Sequence, residues 1–351
     1  MSHPRKRSTV RTAALIALTV LAMTAQPADA AGPPGSASPP VASPPVARSA
    51  GGPLAGQALW RNPAGHAVQA QQAAQQRGDQ RTAAALDRLA RQPSATWLTG
   101  GGNVFQTAAD LTGAAQQAGQ LPVLVAYNLP GRDCGLYSRG GAGSTGAYLS
   151  WVGSLAAGIG ARPAVVVLEP DAVPQTVSGC RGGRSAAQRY AMLNSAVTIL
   201  KRQPRTRVYV DAGNASWVAN HKALAGALRA AGVARADGFA LNTSNFESTR
   251  ASVSYGARVS SQLGGKRFVI DTSRNGAGRP VGRRGHARWC NPPGARLGAP
   301  PSTSPGIARV DALLWIKQPG DSDGECGSGH LPAGQFGSRY AGGLLGTRLS
   351  G

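Results

Sequence analysis

The chain has 351 residues, of which 42% are hydrophobic, and it carries a formal net charge of +22. This length is sufficient for one large domain with a substantial buried core, so a second globular domain is not required. Most of the cations are isolated arginines, which indicates a solvated basic surface rather than a nucleic-acid-binding face. We therefore expect no nucleic-acid partner, and we expect a monomer.

Residues 1–30 have the three parts of a secretory signal peptide: a basic start, an apolar stretch over 13–25, and the small-residue cleavage site Ala28-Asp29-Ala30. Their removal lowers the net charge to +19, because they carry four cationic groups and one acidic group. The apolar stretch is shorter than the roughly 20 residues that span a bilayer. We predict a secreted, extracellular protein without a membrane anchor.

Residues 31–53 consist mainly of Ala, Pro, Ser and Gly, a composition that cannot bury enough apolar surface to fold. We predict a disordered linker over 31–53 and a folded domain over 54–351.

Short β-branched runs then alternate with Ala-rich helical stretches. Strands are predicted near 96–99, 123–128, 164–169, 207–211, 237–242, 267–272 and 311–317, and helices near 79–91, 104–118, 145–158, 185–202, 216–231 and 247–263. This alternation predicts an α/β fold with parallel strands and right-handed crossovers. Several strands are almost entirely apolar, which favours a TIM-barrel-like parallel β/α barrel of about seven strands. An open doubly wound sheet is the alternative, although no Gly-rich phosphate-binding turn opens a helix.

The acidic residues are few and unevenly placed. Of the 14 that follow residue 30, eight lie at or just beyond the C-terminal end of a predicted strand: Asp133, Glu169, Asp171, Asp211, Asp271, Asp321, Asp323 and Glu325. In parallel barrels the loops after the strands converge at this end and form the active site. The distribution predicts a concave site lined with carboxylates.

Crowded carboxylates either perform acid–base chemistry or bind a metal ion. The sequence has no HExxH pair and no calcium-loop spacing, and its five histidines lie outside these strand ends. We expect no metal and no organic cofactor, although a divalent cation site remains the alternative. Paired-carboxylate chemistry is the main hypothesis, and glycosidic bond hydrolysis is its standard case.

Tryptophans accompany the acids. Trp97 and Trp217 flank strand ends, and Trp289 lies in a Gly/Pro-rich loop. Because one face of a sugar ring is apolar and stacks on an indole, these positions favour a sugar-binding cleft. Plain core packing is the alternative for each of them, and we assign Trp151 and Trp315 to the core.

Four cysteines in an exported chain favour two disulfides, because the compartment is oxidising and the number is even. Among the three connectivities we favour sequential pairing, Cys134 with Cys180 and Cys290 with Cys326. Buried free thiols are the alternative.

Seven motifs occur in the order found in one known family. They are VLVAYNLPGRDC (123–134), VVVLEPDAVPQ (165–175), VYVDAGNASW (208–217), ALNTSNF (240–246), VIDTSRNGAG (269–278), WCNPPG (289–294) and LLWIKQPGDSDGEC (313–326). The chain thereby resembles glycoside hydrolase family 6 over roughly residues 55 to 340. The resemblance implies a distorted parallel β/α barrel that cleaves β-1,4-glucan, such as cellulose, with inversion of the anomeric configuration.

The resemblance also implies catalytic roles. Asp171 matches the general acid, and Asp133 matches the aspartate that keeps the acid protonated and influences water activation. Asp323 matches the carboxylate proposed as base or as stabiliser of positive charge, and Asp211 matches a supporting aspartate. Tyr127 matches the tyrosine that favours ring distortion. A structural role for Asp171 and Asp133, in ion pairs with arginines such as Arg132, is the alternative.

Eight further positions complete the predicted substrate site. They are Trp97, Trp217, Asn214, Asn245, Trp289, Lys317, Asp321 and Ser138. Two of these depart from the family pattern, since many members have histidine in place of Asn214 and glutamate in place of Asp321. Arg139 is a third departure, because small residues are usual there.

The cysteine spacings of 46 and 36 positions resemble those of open-cleft endoglucanases of the family, and we predict internal cutting of the glucan. A cellobiohydrolase of the same family and a non-catalytic glucan-binding relative are the alternatives. A basic protein that binds an acidic polymer is a further rival, and it predicts steep salt dependence without hydrolysis.

Overall fold

The computed structural model describes residues 51–280 and 288–349. The predicted signal peptide and residues 31–50 of the predicted linker lie outside the described residues. Within those two described ranges, no helix is both long and apolar enough to cross a membrane.

Seven parallel β-strands form one sheet, and each strand pairs with its neighbour in the chain. They are β1 (Thr96–Leu98), β2 (Val123–Ala126), β3 (Ala164–Leu168), β4 (Thr206–Asp211), β5 (Gly238–Leu241), β6 (Arg267–Asp271) and β7 (Val310–Leu314). A doubly wound sheet reverses its strand order partway, whereas this order runs from β1 to β7 without reversal. The barrel prediction is confirmed as a curled parallel sheet, and the doubly wound alternative is wrong.

The two edges of the curled sheet come together through loop residues. The N–H of Ala95 donates to the carbonyl of Trp315 over 2.9 Å, and the indole Nε1–H of Trp97 donates to the carbonyl of Ile316 over 2.8 Å. These contacts hold β1 next to the chain that follows β7.

Nine α-helices are present in the described residues. They are α1 (His66–Gln76), α2 (Gln80–Ala90), α3 (Val104–Gln117), α4 (Thr145–Ile159), α5 (Ala172–Val177), α6 (Ala186–Leu200), α7 (His221–Ala230), α8 (Thr249–Gln262) and α9 (Ser338–Leu345). Side chains at the N-caps fix several starts: Asn220 Oδ1, for example, accepts from the N–H of Ala223 and starts α7 five residues after the predicted position. The six predicted helices are all present.

The strands are apolar on both faces because the sheet has two cores. Val166 and Leu168 of β3 pack outward against the helices, whereas Val165 and Val167 point into the barrel with Tyr209. All five are fully buried. Burial of one such aliphatic side chain contributes about 1.5–3 kcal/mol of transfer free energy, which fixes the register of the central strands.

The C-terminal edge of the sheet carries unusual backbone geometry. Six non-glycine residues there have positive φ angles: Asp133 (56°), Cys134 (53°), Glu169 (48°), Asp171 (69°), Asn242 (65°) and Ser244 (56°). Such conformations cost of order 1–3 kcal/mol each and persist only where surrounding contacts enforce them. Their clustering favours this edge as the functional one.

Candidate active site

A cavity of about 1000 Å³ lies at the C-terminal edge of the sheet. It brings together twelve of the thirteen predicted catalytic and substrate-binding residues: Trp97, Tyr127, Asp133, Ser138, Asp171, Asn214, Trp217, Asn245, Trp289, Lys317, Asp321 and Asp323. Asp211 is the thirteenth, and it lies directly behind Asp171. The residues are far apart in the chain, and the parallel topology alone collects them at one edge.

Asp171 follows β3 and starts the short helix α5. It is partly buried, and its backbone N–H donates to Oδ1 of Asp211 over 3.0 Å. Burial, and then the carboxylates of Asp211 and Asp133, raise the pKa of Asp171 well above its ordinary value. The carboxylate of Asp323 acts in the same direction. A carboxyl group in this setting keeps its proton at a pH where ordinary aspartates have lost theirs.

Asp211 ends β4 and is fully buried. Its Oδ1 accepts from the N–H groups of both Asp171 and Gly213, each over 3.0 Å. Burial raises the pKa of Asp211, and the hydrogen bonds that it accepts oppose this rise. Asp211 therefore both positions the backbone of Asp171 and places a carboxylate beside it.

Asp133 lies in a short 3₁₀ turn, Asp133–Gly135, in the loop after β2. Its Oδ2 accepts from the N–H of Ser138 over 2.6 Å. Burial raises the pKa of Asp133, while this hydrogen bond and the charge of Arg132 oppose the rise. The guanidinium of Arg132 donates to the carbonyls of Thr99, Tyr127 and Ser138. Arg132 thus shapes the loop and makes no ion pair with Asp133 among the described contacts.

Both predicted disulfides are present. Cys134 pairs with Cys180, which ties the Asp133 loop to the end of α5, and Cys290 pairs with Cys326. The sequential connectivity is confirmed.

Glu169, a buried residue at the end of β3, holds the loop that carries Asp133. Its carboxylate is buried and accepts from the N–H groups of Asn128 and Leu129 over 2.9–3.1 Å. Burial raises its pKa to about 7, against the opposing effect of those two N–H groups. The sequence places Glu169 at a strand end but gives it no role, and the geometry makes it the link between β3 and the loop that carries Asp133.

Tyr127 and Trp97 form one wall of the cavity. Their rings meet edge to face with centroids 5.3 Å apart, and the guanidinium carbon of Arg132 lies 4.8 Å from the Tyr127 centroid. Burial raises the pKa of Tyr127 well above its ordinary value, and the nearby Asp171 and Asp133 add to the effect. Its hydroxyl is therefore a neutral group beside the two aspartates.

Asp323 lies between two cations. Its Oδ2 accepts from Nη1 of Arg274 over 2.8 Å and from the N–H of Asn291 over 2.9 Å. Its Oδ1 is 3.6 Å from Nζ of Lys317. The environment is opposite to that of Asp171, which has carboxylates as its charged neighbours.

Asp271, at the end of β6, joins the loops that surround Asp323. Its Oδ1 accepts from the N–H groups of Ser273 and Ile316, and its Oδ2 accepts from those of Ser244 and Lys317. Burial raises the pKa of Asp271, and the hydrogen bonds oppose this. One buried carboxylate thus aligns the chain after three successive strands, β5, β6 and β7.

The other predicted substrate residues line the cavity through their side chains or loops. Asn214 Oδ1 accepts from the N–H and hydroxyl of Ser216, while Asn245 Oδ1 accepts from the N–H of Phe246. Both amides are therefore partly engaged in their own turns. Trp217 is partly buried and packs against the outer core.

The two disulfide-bonded loops meet at Tyr137. Its ring lies 6.0 Å from that of Trp289, which is one of the exposed large hydrophobic residues. A β-carbon at position 324 would lie 2.3 Å from the β-carbon of Tyr137, so Gly324 is required for this approach. The contact brings the loop of Asp133 against the loop of Asp323.

His66 enters the cavity from the start of α1, outside the predicted strand ends. Its Nδ1 lies 2.9 and 3.0 Å from the two carboxylate oxygens of Asp321. The two residues are 255 positions apart in the chain, and no local motif connects them. In the described ranges, here or elsewhere, no group of three or more His, Cys, Asp or Glu side chains is arranged to hold a metal ion.

Comparisons with known proteins agree with this architecture. Endoglucanase 1 of Streptomyces halstedii is 44% identical over 268 residues, which cover 74% of this chain and 80% of that protein. Endoglucanase A of Cellulomonas fimi is 43% identical over 256 residues, which cover 72% of this chain and 54% of that protein.

A solved structure of the endoglucanase Cel6 from Mycobacterium tuberculosis, in complex with methyl-cellobiosyl-4-deoxy-4-thio-β-D-cellobioside, matches with a TM-score of 0.77 at 42% identity. The match covers 83% of this chain and 97% of that one. The family model described as glycosyl hydrolases family 6 matches residues 54–345. The chain therefore belongs to glycosyl hydrolases family 6 and is a glycoside hydrolase.

Proposed function

We propose that this protein is a secreted, monomeric, inverting endo-β-1,4-glucanase in which Asp171 is the general acid. The observation that carries the proposal is the contrast between two carboxyl groups of one cavity. Asp171 has the carboxylates of Asp211 and Asp133 as neighbours, whereas Asp323 contacts Arg274 and Lys317. Opposite environments suit opposite roles, a proton donor and a charged carboxylate.

In the proposed reaction the Asp171 carboxyl donates its proton to the oxygen of the scissile glycosidic bond as that bond breaks. A water molecule attacks the opposite face of the sugar ring, and its proton leaves toward solvent or the side of the site that holds Asp323. Inversion requires space for this water, and inverting enzymes place their two carboxyl groups about 6.5–9.5 Å apart. Tyr127 and Asp133 would act on the distorted ring and on the water.

The proposed substrate class rests on the tryptophans that line the cavity and on the names of the similar proteins. Trp97, Trp217 and Trp289 offer apolar faces around the carboxylates, as stacking of pyranose rings requires. The relatives at 43–44% identity are named endoglucanases, and the ligand in the Mycobacterium tuberculosis structure is a thio-linked cellobiosyl cellobioside. These names support cellulose or a soluble β-1,4-glucan as the polymer.

Hydrolysis of a soluble β-1,4-glucan tests the proposal, with viscosity and reducing ends measured together. Internal cutting predicts a rapid loss of viscosity per reducing end, and proton NMR of the first product should give the α-anomer. Asp171→Asn should lower kcat at least about 100-fold, since general acid catalysis contributes roughly 10²–10⁴-fold. Asp110→Asn, an exposed residue of α3, is the matched control and should leave kcat unchanged.

A slow loss of viscosity with steady release of cellobiose would instead support a cellobiohydrolase. Binding of glucan without hydrolysis by the wild-type protein would support a non-catalytic relative and overturn the enzymatic proposal.

A further inference from the structure

His66 lies in none of the seven motifs, whereas its partner Asp321 belongs to the last of them, 313–326. Nδ1 of His66 is within hydrogen-bonding distance of both oxygens of Asp321, and both residues line the cavity. The side chain of His66 is 43% exposed, whereas that of Asp321 is 6% exposed. The imidazole is therefore the part of this pair that a ligand in the cavity meets.

The ring has one nitrogen left for such a ligand. With Nδ1 directed at Asp321, Nε2 lies on the opposite side of the imidazole. Within residues 51–280 and 288–349, no protein atom forms a hydrogen bond with Nε2. Because a carboxylate accepts, Nδ1 carries a proton, so Nε2 is a hydrogen-bond acceptor in the neutral ring and a donor in the imidazolium.

The surroundings of His66 match a sugar rather than an anion. Trp97 and Lys317 belong to the same wall of the cavity, and Nζ of Lys317 lies 5.9 Å from the Trp97 ring centroid. The N–H of His66 donates to Oε1 of Gln318 over 3.3 Å, which fixes the start of α1 beside this wall. An indole face with polar donors at its margin is the usual arrangement for one glucosyl unit.

We propose that His66, oriented by Asp321, is a substrate-binding residue whose Nε2 forms a hydrogen bond with a hydroxyl group of the glucosyl unit at the Trp97 end of the cavity, as acceptor in the neutral ring and as donor in the imidazolium. The inference rests on the proposed glucanase function. Asp321 is almost fully buried, and the more exposed imidazole carries the polar contact of this pair into the cavity.

Charge strengthens the contact at low pH. The hydrogen bond with Asp321 raises the pKa of His66, and burial and the charge of Lys317 oppose that rise. The imidazolium is therefore favoured up to a higher pH than in an ordinary histidine. The contribution of His66 to glucan affinity is present at acidic pH and decreases as pH rises through this elevated pKa.

Two amide substitutions separate the roles of the two ring nitrogens. Asn in place of His66 puts its amide near the position of Nδ1 and keeps the bond to Asp321, whereas Gln reaches the position of Nε2. Binding is measured by calorimetry with β-1,4-linked glucose tetramers and hexamers in the Asp171→Asn background, so that no hydrolysis interferes. His66→Ala and His66→Asn should weaken binding about tenfold, as expected for loss of one hydrogen bond. His66→Gln should recover most of that loss.

The matched control is His221→Ala, because His221 contacts the tilted ring of Tyr255 with centroids 5.0 Å apart and does not line the cavity. It should leave the affinity unchanged. In otherwise wild-type protein, His66→Asn should raise KM and leave kcat within about twofold, whereas a structural role would lower Tm and kcat together.

The outcomes separate the two proposals. If the wild-type protein hydrolyses glucan but the His66 variants bind the oligosaccharides as tightly as the Asp171→Asn parent does, the role of His66 is overturned and the proposed function is not affected. Failure of the wild-type protein to hydrolyse any β-1,4-glucan overturns the proposed function and this inference with it.

Discussion

The backbone N–H of Asp171 donates a hydrogen bond to Oδ1 of Asp211 over 3.0 Å. This bond fixes the start of α5 and holds the carboxylate of Asp211 beside the carboxyl group of Asp171. Because like charges in a buried site disfavour ionisation, each carboxylate near Asp171 makes loss of its proton harder. The two aspartates therefore form one titrating unit, and changes at Asp211 should be visible in the titration of Asp171.

Asp211→Asn should move the alkaline limb of the kcat/KM profile to lower pH. The amide oxygen can still accept from the N–H groups of Asp171 and Gly213, but the negative charge is gone. Without that charge the pKa of Asp171 falls, so the acid loses its proton at a lower pH and activity declines earlier. The measurement is initial rate against pH on a soluble β-1,4-glucan.

Asp110→Asn, which removes an exposed charge on α3, provides the comparison for the change in net charge. If the alkaline limb of the kcat/KM profile does not move in Asp211→Asn, then Asp211 does not influence the pKa of the general acid.

Arg274 should be essential for the geometry of Asp323. The guanidinium is fully buried, donates to Asp323 and to the hydroxyl of Tyr340, and lies 4.4 Å from the ring of Phe246. Arg274→Met leaves the buried carboxylate with Lys317 as its remaining cation among residues 51–280 and 288–349, and breaking a buried ion pair in this way costs about 3–5 kcal/mol. Urea denaturation should give a loss of that size, and kcat measured on the folded variant should also fall.

Arg274→Lys keeps the charge but not the planar fork, so its unfolding free energy should lie between those of the wild type and Arg274→Met. Arg250→Lys, at an exposed position of α8, should change neither quantity. Wild-type stability in Arg274→Met would mean that the pair with Asp323 contributes nothing to the fold.

The strands were predictable from sequence patterns. All seven were predicted to within about three residues, because short and almost entirely apolar runs such as 164–168 are typical of parallel strands buried on both faces. The same patterns left an open doubly wound sheet as an alternative, which the observed strand order excludes. The carboxylates at the strand ends were found as well, since a parallel sheet gathers the ends of its strands at one edge.

Three helices and one site residue were not predicted. The helix α5 has six residues, includes Pro174 and starts at a positive φ angle, so no periodicity reveals it. His66 belongs to α1, which precedes the first strand, and it reaches the cavity because the start of α1 contacts the loop after β7. A long-range contact between a helix start and a loop leaves no local signal in the sequence.

The Cys134–Cys180 disulfide should stabilise both the fold and the Asp133 loop. Its cysteines are 46 positions apart, and closing a loop of that size in the unfolded chain corresponds to about 4 kcal/mol in the chain-entropy model. Replacing both cysteines by serine should lower Tm accordingly. It should also lower kcat at temperatures where the variant is fully folded, because Asp133 directly precedes Cys134.

The control is the double replacement of Cys290 and Cys326, whose spacing of 36 positions predicts a similar loss of stability. A variant without Cys134 and Cys180 that keeps full kcat would contradict the positional role of this disulfide.

Glu169 should make the protein less stable at neutral pH than at mildly acidic pH. Its folded-state pKa is raised to about 7 from an ordinary value of 4.5, so between these two values the folded protein binds more protons than the unfolded chain. Stability from this group is therefore full below about pH 4.5 and decreases as pH rises to 7. A shift of this size corresponds to roughly 3 kcal/mol. The measurement is the free energy of unfolding in urea between pH 4.5 and 7.5.

Glu169→Gln removes this titration, and its stability profile should be flatter over the same range. Oε2 of Glu169 accepts from the N–H groups of both Asn128 and Leu129, and an amide oxygen at that position can keep both hydrogen bonds. At pH 5, where the Glu169 carboxyl is protonated, the variant should therefore be about as stable as the wild type. Other groups titrate in the same direction, since burial raises the pKa of Asp133 and Asp271 as well. The difference between the wild-type and Glu169→Gln profiles gives the share of the pH dependence that is due to Glu169. Parallel profiles for the two proteins would refute a contribution from Glu169.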